Sequence, residues 1–504
     1  MKKLILCALA AASILAAAPK KPKLIVAMVF DQFRYDYLER FRSEYHAGFE
    51  RLLTHGAVFT SAHYQHFPTV TAIGHSTFLS GALPATSGII GNEWYDRSEG
   101  AVVTSVSDHD TKLLGAAGGE GSSPRRLLVS TVGDELKTAD GGKAHVIGIS
   151  LKDRAAILPA GHMADGAYWL DNSTGNFVSS SYYFEDVPGW VKSFNSGHPA
   201  DRYAAAKWLN HILPQEAPAL YAALAPSPFG NEMIESFAEQ ALEHEQLGKH
   251  EDTDILAISF SSNDYIGHEY GPDSPEVHEI SVRSDVLLEK LFQALDRQVG
   301  LDRVLVVMTA DHGVAPVPEV NLARHMPGGR MLNKTIGDKV QQSLRAKYGN
   351  FDWITSNADG VVYLNWELIA FKKLSLAEVT RTAAQAIESI PHIFRVYTRD
   401  QLEIGEVTGD ATGRAVANGY NAARGADLEV LLEPYWVFGT GKASHGTTFD
   451  YDTHVPVIFM GSGIGPGRYD ESIVVNDIAP TLANILHVET PSGSAGRVLA
   501  EMYK

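Results

Sequence analysis

The sequence predicts an α/β fold: a three-layer αβα sandwich with a mostly parallel central sheet and an inserted cap or subdomain. Three observations carry this reading. Continuous apolar runs of strand length recur at KLIVAMVF (23–30), HVIGIS (145–150), ILAISF (255–260), RVLVVMTA (303–310) and VPVIFMG (455–461). A run without alternation is the mark of a strand buried on both faces, and the helical patterns between the runs supply the covering layers. Polar residues with catalytic chemistry directly follow four of the runs, at the sheet edge where such folds bind ligands.

Length alone allows two or more domains, or one large α/β domain with insertions. The chain has 504 residues, 45% hydrophobic and 20% charged, enough for a sizeable core and too apolar for disorder. A formal net charge of −18 provides no basic field for phosphates, which excludes nucleic acid as the main partner. An acidic protein handling an anionic substrate needs local positive charge, from metal ions or from a few Lys and Arg.

Residues 1–18 read as a signal peptide, with a charged MKK, an apolar LILCALAAASIL and small residues before Pro19. The apolar run is too short to span a bilayer, and no other segment has the roughly 20 apolar residues that spanning needs. Loss of Lys2 and Lys3 takes the formal charge from −18 to −20. The single cysteine, Cys7, leaves with them, so the domain 19–504 has no disulfide or thiolate metal site. Any zinc there must be held by His and carboxylate. The expected location is periplasmic or secreted, and the expected state is a monomer.

In chain order, the first buried strand ends at Asp31, a helical stretch covers about Tyr37–His55, and AVFTSAHY (57–64) is a second strand. HFPT (66–69) makes a turn, and TAIGHSTFLSG reads as a helix with small residues on its packed face. Thr69 falls at or just before the helix start. Threonine takes that position readily as an N-cap, but a hydroxyl there also lies in a positive end-field suited to an anion. GAAGGEGSS (115–123) reads as a flexible loop, and about 169–254 as an irregular, aromatic-rich segment. PEVHEISVRSDVLLEKLFQALDRQV (275–299) is a long amphipathic helix. Gly-rich turns and a strand-like VVYLNW mark about 315–440 as the insertion, and a final helix runs from about Asp477 to Leu486.

Metal-ligand chemistry follows the runs. Asp264 and His268 are four apart in SSNDYIGHEYG, so on one helical turn they face the same way. Asp311 and His312 follow a buried strand directly and precede the permissive Gly313, which serves no packing purpose. Asp31 is the same kind of signal, and His445 lies in the loop KASHGTTFDYDTHVPV. His63, His66, His75 and His454 are read as ordinary loop or core histidines. Without cysteine, zinc takes nitrogen and oxygen ligands, and two ions about 4 Å apart can clamp an in-line displacement.

Taken together, DQFRYDYL, FPTVT-x-x-GH-x-x-x-x-SG, GIIGNEWYD, SLKDRAAILPAG, SSNDYIGH, TADHG and ASHGT resemble the alkaline phosphatase superfamily. The closer resemblance is to threonine-dependent bacterial alkaline phosphatases of the type I phosphodiesterase/nucleotide pyrophosphatase branch. It runs nearly end to end and includes GYNAARGADLEVLLEP. It implies an alkaline phosphatase-like sandwich with one zinc on Asp264, His268 and His445 and a second on Asp31, Asp311 and His312. Thr69 would complete the second shell as nucleophile, forming a phosphothreonine. Asn92, Lys152 and Arg154 would bind the phosphoryl group.

Lys152 and Arg154 also have a direct reading. Two cations at i and i+2 share a face if the segment stays extended, and Arg offers phosphate a fork of donors. Two extra cations favour the dianion of a monoester over a diester, so small-molecule phosphate monoesters are the expected substrates. The alternative is a nucleotide pyrophosphatase/phosphodiesterase. A sulfatase is disfavoured by the absence of C/S-x-P-x-R before the helix, and a metal-retaining binding module by the intact nucleophile and ligand set. Two Zn2+ ions are the expected cofactors, with room for a structural Ca2+ in an acidic exported protein.

Overall fold

Leu24–Phe30 (β1) runs through the centre of the molecule with every residue buried. The computed structural model describes residues 21–407 and 409–504; the expected leader at 1–18, with Cys7, lies outside the described residues. Around β1 are Ala57–His63 (β2), Val146–Ser150 (β3), Gly166–Asp171 (β4), Asp254–Phe260 (β5), Val304–Thr309 (β6) and His454–Gly461 (β7). Among the described residues they belong to a 12-stranded sheet whose middle runs β2–β7–β6–β1–β5–β3–β4.

From β6 to β4 every pairing is parallel. Beyond β4 the next strand, Asn176–Ser180, is antiparallel, and toward β2 the rule breaks at β7, which lies antiparallel between β2 and β6. Its apolar run looks like the others because burial on both faces dictates composition, and composition carries no direction. Parallel register places the functional residues. Phe30 pairs with Phe260 and Val29 with Thr309, so Asp31, the helix after β5 and Asp311 leave the sheet at one edge. Lys152, just past β3, leaves there too.

The helices that matter to the site are Thr71–Ser80 (α1), Asp153–Ala160 (α2), Pro228–His244 (α3), Ser262–Tyr270 (α4), Pro275–Gln298 (α5) and Asp450–Thr453 (α6). α1 packs on α2, while α5 packs on α3 and α4. The predicted Tyr37–His55 helix is two helices, Tyr35–Arg40 and Gly48–His55. The break has a cause. The buried Asp285 carboxylate of α5 accepts from the backbone N–H groups of His46, Ala47 and Phe49 and starts the second helix.

Two further expectations need correction. The segment 169–254 is not irregular throughout, because α3 spans 17 residues of it. Its Phe229, Met233, Phe237 and Ala241 are buried at helical spacing, a stripe diluted in the sequence by polar residues. The loop at 115–123 contains the strand Glu120–Ser122, paired with Ser107–Leu114.

Within the region read as an insertion, Ile354–Ala358, Val361–Leu364, Leu428–Leu432 and Ile393–Thr398 form a separate four-stranded antiparallel sheet. Helices Asn333–Tyr348 and Leu376–Glu388 pack on it around their own core, including Ile336, Val340, Trp353 and Val379. Glu429 sits inside this sheet, where burial raises its pKa from 4.5 to about 8. The folded chain therefore keeps a proton that the unfolded chain releases from about pH 4.5 upward, so stability falls as pH rises toward 8. Glu429→Gln removes that dependence. Its melting temperature should match the parent's near pH 4 and exceed it at pH 9, by an amount corresponding to about 2–4 kcal/mol. Parallel melting curves at the two pH values check this.

Candidate active site

Six of the sequence-predicted residues meet at the sheet edge. Asp264, His268 and His445 form one group whose candidate ligand atoms all lie within 4.8 Å of one another, and Asp31, Asp311 and His312 form another. Asp264 and His268 lie on α4, one turn apart, with His268 Nε2 3.1 Å from Asp264 Oδ1. His445 comes from the loop before β7 and brings its Nε2 to 3.2 Å from that of His268. The groups adjoin, because the His312 and His445 rings stack at 3.6 Å.

Every histidine of the set is oriented the same way. Nδ1 of His268, His312 and His445 donates to the carbonyls of Ala443, Gly313 and Thr69, at 2.9, 2.9 and 2.8 Å. A carbonyl only accepts, so Nδ1 carries a proton and Nε2 is the nitrogen turned inward, the orientation of a metal-binding imidazole. Burial lowers His312 to about 4, and burial together with His312 and His268 holds His445 well below its ordinary range. Burial opposes charge on His268 as well, but the Asp264 carboxylate outweighs it and brings its pKa up to about 9.

The carboxylates are crowded. Burial, then the Asp264 and Asp311 charges, push Asp31 up to about 7. Burial also opposes ionisation of Asp264, but Lys152 and His268 outweigh it and hold its pKa well below the usual carboxylate range. Asp31 Oδ1 and Asp311 Oδ2 are buried with no hydrogen-bond partner. Such atoms are costly unless a cation meets them.

Lys152 stands between the two groups. Its buried Nζ donates to Asp31 Oδ2 and Asp264 Oδ2, both at 2.6 Å. The segment is not extended, contrary to the sequence reading. Lys152 is the residue preceding α2, and Asp153 and Arg154 are already helical. Arg154 is partly exposed and leaves a buried Nε without a hydrogen-bond partner. Asp153 accepts from Ser122 Oγ and the Arg154 N–H.

Thr69 is fully buried, and its Oγ donates to the Thr447 carbonyl at 2.8 Å. It is not the helix cap, since α1 begins at Thr71 after Val70. Asn92 takes that task, its Oδ1 accepting from Ala72 N–H at 2.9 Å. A backbone donor fixes which amide atom is oxygen, and the Asn92 NH2 is thereby left as a donor to the site.

Positioning residues escaped the sequence reading. Gln32 follows Asp31 with φ +62°. Its N–H donates to Asp311 Oδ1 and its Nε2 to Asp264 Oδ1, at 3.0 and 2.6 Å. A polar side chain directly after a strand-end aspartate was the available signal. His75, read as ordinary, is buried with Nδ1 3.3 Å from Asp311 Oδ2. Gly74 lets α1 touch the Asp311 backbone, since a Cβ there would lie 2.2 Å from Asp311 O and 2.6 Å from its Cα. A cavity of about 310 Å³ opens beside the site, lined by Asn92, His268 and His445 and by apolar residues including Phe67, Trp94, Tyr363 and Phe438.

An αβα sandwich that gathers Asp and His side chains and a hydroxyl at the carboxyl ends of its strands belongs to the alkaline phosphatase class of folds. Residues 25–454 match the sequence profile of the type I phosphodiesterase/nucleotide pyrophosphatase family, and the chain belongs to that family. Alkaline phosphatase PhoV of Synechococcus elongatus is 36% identical, over 96% of this chain and 93% of that protein. A Myroides odoratus protein named calcium-transporting ATPase is 35% identical, over 96% and 95%. The crystal structure of alkaline phosphatase PafA, known from Elizabethkingia meningoseptica, superposes with a TM-score of 0.89 at 33% identity, covering 96% of this chain and 99% of that one. A variant of PafA with a threonine, an asparagine, a lysine and an arginine replaced superposes at 0.91.

Gly74→Ala tests the close approach of α1. The added methyl must displace Asp311, and misplacement of that scale lowers kcat/KM by about 100-fold. Steady-state kinetics beside circular dichroism should show the loss with the fold retained.

Proposed function

We propose that the chain is an exported metal-dependent alkaline phosphatase that hydrolyses phosphate monoesters through a phosphothreonine on Thr69. One observation carries the reading: two Asp/His groups meet beside Thr69 with the Nε2 atoms of all three histidines turned inward. The residues fit divalent ions, because of three buried carboxylates two share one ammonium, and Asp31 Oδ1 and Asp311 Oδ2 have no hydrogen-bond partner. Asp264, His268 and His445 would hold one zinc, and Asp31, Asp311 and His312, with Thr69, the other. When bound, such ions supply positive charge that lowers the pKa of a hydroxyl and neutralises charge developing on phosphoryl oxygens.

The chain's own residues account for the remaining steps. Thr69 Oγ attacks phosphorus, so the Oγ–P bond forms as the bond to the leaving oxygen breaks, and the Thr69 hydroxyl proton passes by way of water to that oxygen, which departs as the alcohol. Asn92 donates to a phosphoryl oxygen through the amide left over from capping α1. Lys152 and Arg154 bring two positive charges toward a group that carries two negative ones. Water then cleaves Oγ–P, which releases inorganic phosphate and restores Thr69. The PafA variant supports this assignment by residue type, since its four replaced types are those of Thr69, Asn92, Lys152 and Arg154. The name of the Myroides odoratus relative also implies hydrolytic phosphoryl transfer. Export follows from the leader-like residues 1–18, and the domain is assigned as a monomer.

A second reading, a phosphodiester substrate, is favoured by the apolar cavity, which could take a second organic arm. Paired aryl monoester and diester assays decide between them. The monoester should lead in kcat/KM by orders of magnitude, and Lys152→Ala or Arg154→Ala should narrow the gap. Equal turnover of both substrates, with the ratio kept in the variants, contradicts the monoester assignment. Thr69→Ala should abolish the phosphoenzyme trapped by acid quench, and Thr69→Ser should retain part of the activity. Chelation should abolish turnover, and zinc should restore it.

A further inference from the structure

We infer a third metal site, apart from the two above, in which His63, Asp450 and His454 hold one divalent ion of the zinc class. His63 closes β2 and His454 opens β7, and the antiparallel pairing sets them opposite each other on one rung. Their rings stack with centroids 4.5 Å apart. A bulge in β2 between Phe59 and Ala62 produces this register. Bulges re-aim side chains, and a shift of one residue would turn His63 to the other face.

The same bulge fixes the tautomer of His454. Thr60 presents its carbonyl to His454 Nε2 at 2.8 Å, so the proton is on Nε2 and Nδ1 keeps its lone pair. Tyr35 stacks on His454 at 4.6 Å and helps to hold the ring. Asp450 opens α6 and places Oδ1 3.5 Å from His63 Nδ1, with Thr453 Oγ1 at 3.5 Å from the same nitrogen. One candidate ligand atom from each residue lies within 4.8 Å of the others. Reaching bond lengths of about 2.0–2.2 Å requires the exposed Asp450 side chain to rotate toward the two half-buried imidazoles.

A surface ion pair accounts for Asp450 and His63 alone. It does not account for a second imidazole on the same rung with its tautomer set by a bulge carbonyl. Two imidazoles and one carboxylate select zinc and its neighbours over calcium or magnesium. The ion would pin α6 to β2. Next to that point, Asp452 accepts from Thr447 N–H and Oγ–H, and the Thr447 carbonyl accepts from Thr69.

Zinc alone is the probe. The holoenzyme is equilibrated at graded free zinc up to about 100 µM, a range suited to a three-ligand exposed site, and bound zinc per chain is counted by mass spectrometry. The parent should take up one equivalent more than Asp450→Asn or His63→Gln. The Asp450 side chain is 80% exposed, so its replacement leaves the core untouched. The melting temperature of the parent should rise by about 2 °C across the titration, and that of the variants should not. Equal zinc counts in the parent and both variants would overturn the site.

Discussion

The structure depends on gathering like charge where it is least welcome. Asp31, Asp264 and Asp311 are buried at one sheet edge, where the Lys152 ammonium pairs with Asp31 and Asp264, and the only basic groups beside Asp311 among the described residues are imidazoles. Buried carboxylates without compensation cost several kcal/mol each, so the fold must be rigid enough to impose the arrangement. It is held from several sides. Strands β1, β5 and β6 fix the backbone through unbroken parallel register. Gln32 then ties Asp264 to Asp311, and Gly74 brings α1 against Asp311. Such a cluster persists because cations are part of its function.

The same arrangement explains the division of labour around Thr69. A threonine that capped α1 would spend its oxygen on a backbone N–H. Here Asn92 caps the helix, Thr69 lies two residues before it, and the His445 ring is fixed by the Thr69 carbonyl. A short hydrogen bond thus ties His445 to Thr69, and only Val70 separates Thr69 from the helix that Asn92 caps.

Much of this was legible in the sequence, for physical reasons. Strands buried on both faces must be apolar throughout, so KLIVAMVF, ILAISF and RVLVVMTA announced themselves. Aspartates that end such runs have no core purpose, so Asp31 and Asp311 stood out. Direction was not legible: VPVIFMG is as apolar as its neighbours but runs antiparallel. Helix boundaries were also hidden. Whether Lys152-Asp153-Arg154 stays extended is decided by α2, which starts at Asp153 and packs on α1. Gln32 and Gly74 act through partners more than 200 residues away, and no local pattern reports such contacts.

The central claim is that six side chains hold two ions next to Thr69. Anomalous diffraction at the zinc edge, from crystals loaded with two equivalents of zinc per chain, tests it most directly. The account predicts two peaks about 4 Å apart, one on Asp264, His268 and His445 and one on Asp31, Asp311 and His312. A single peak, or peaks away from these residues, would contradict it.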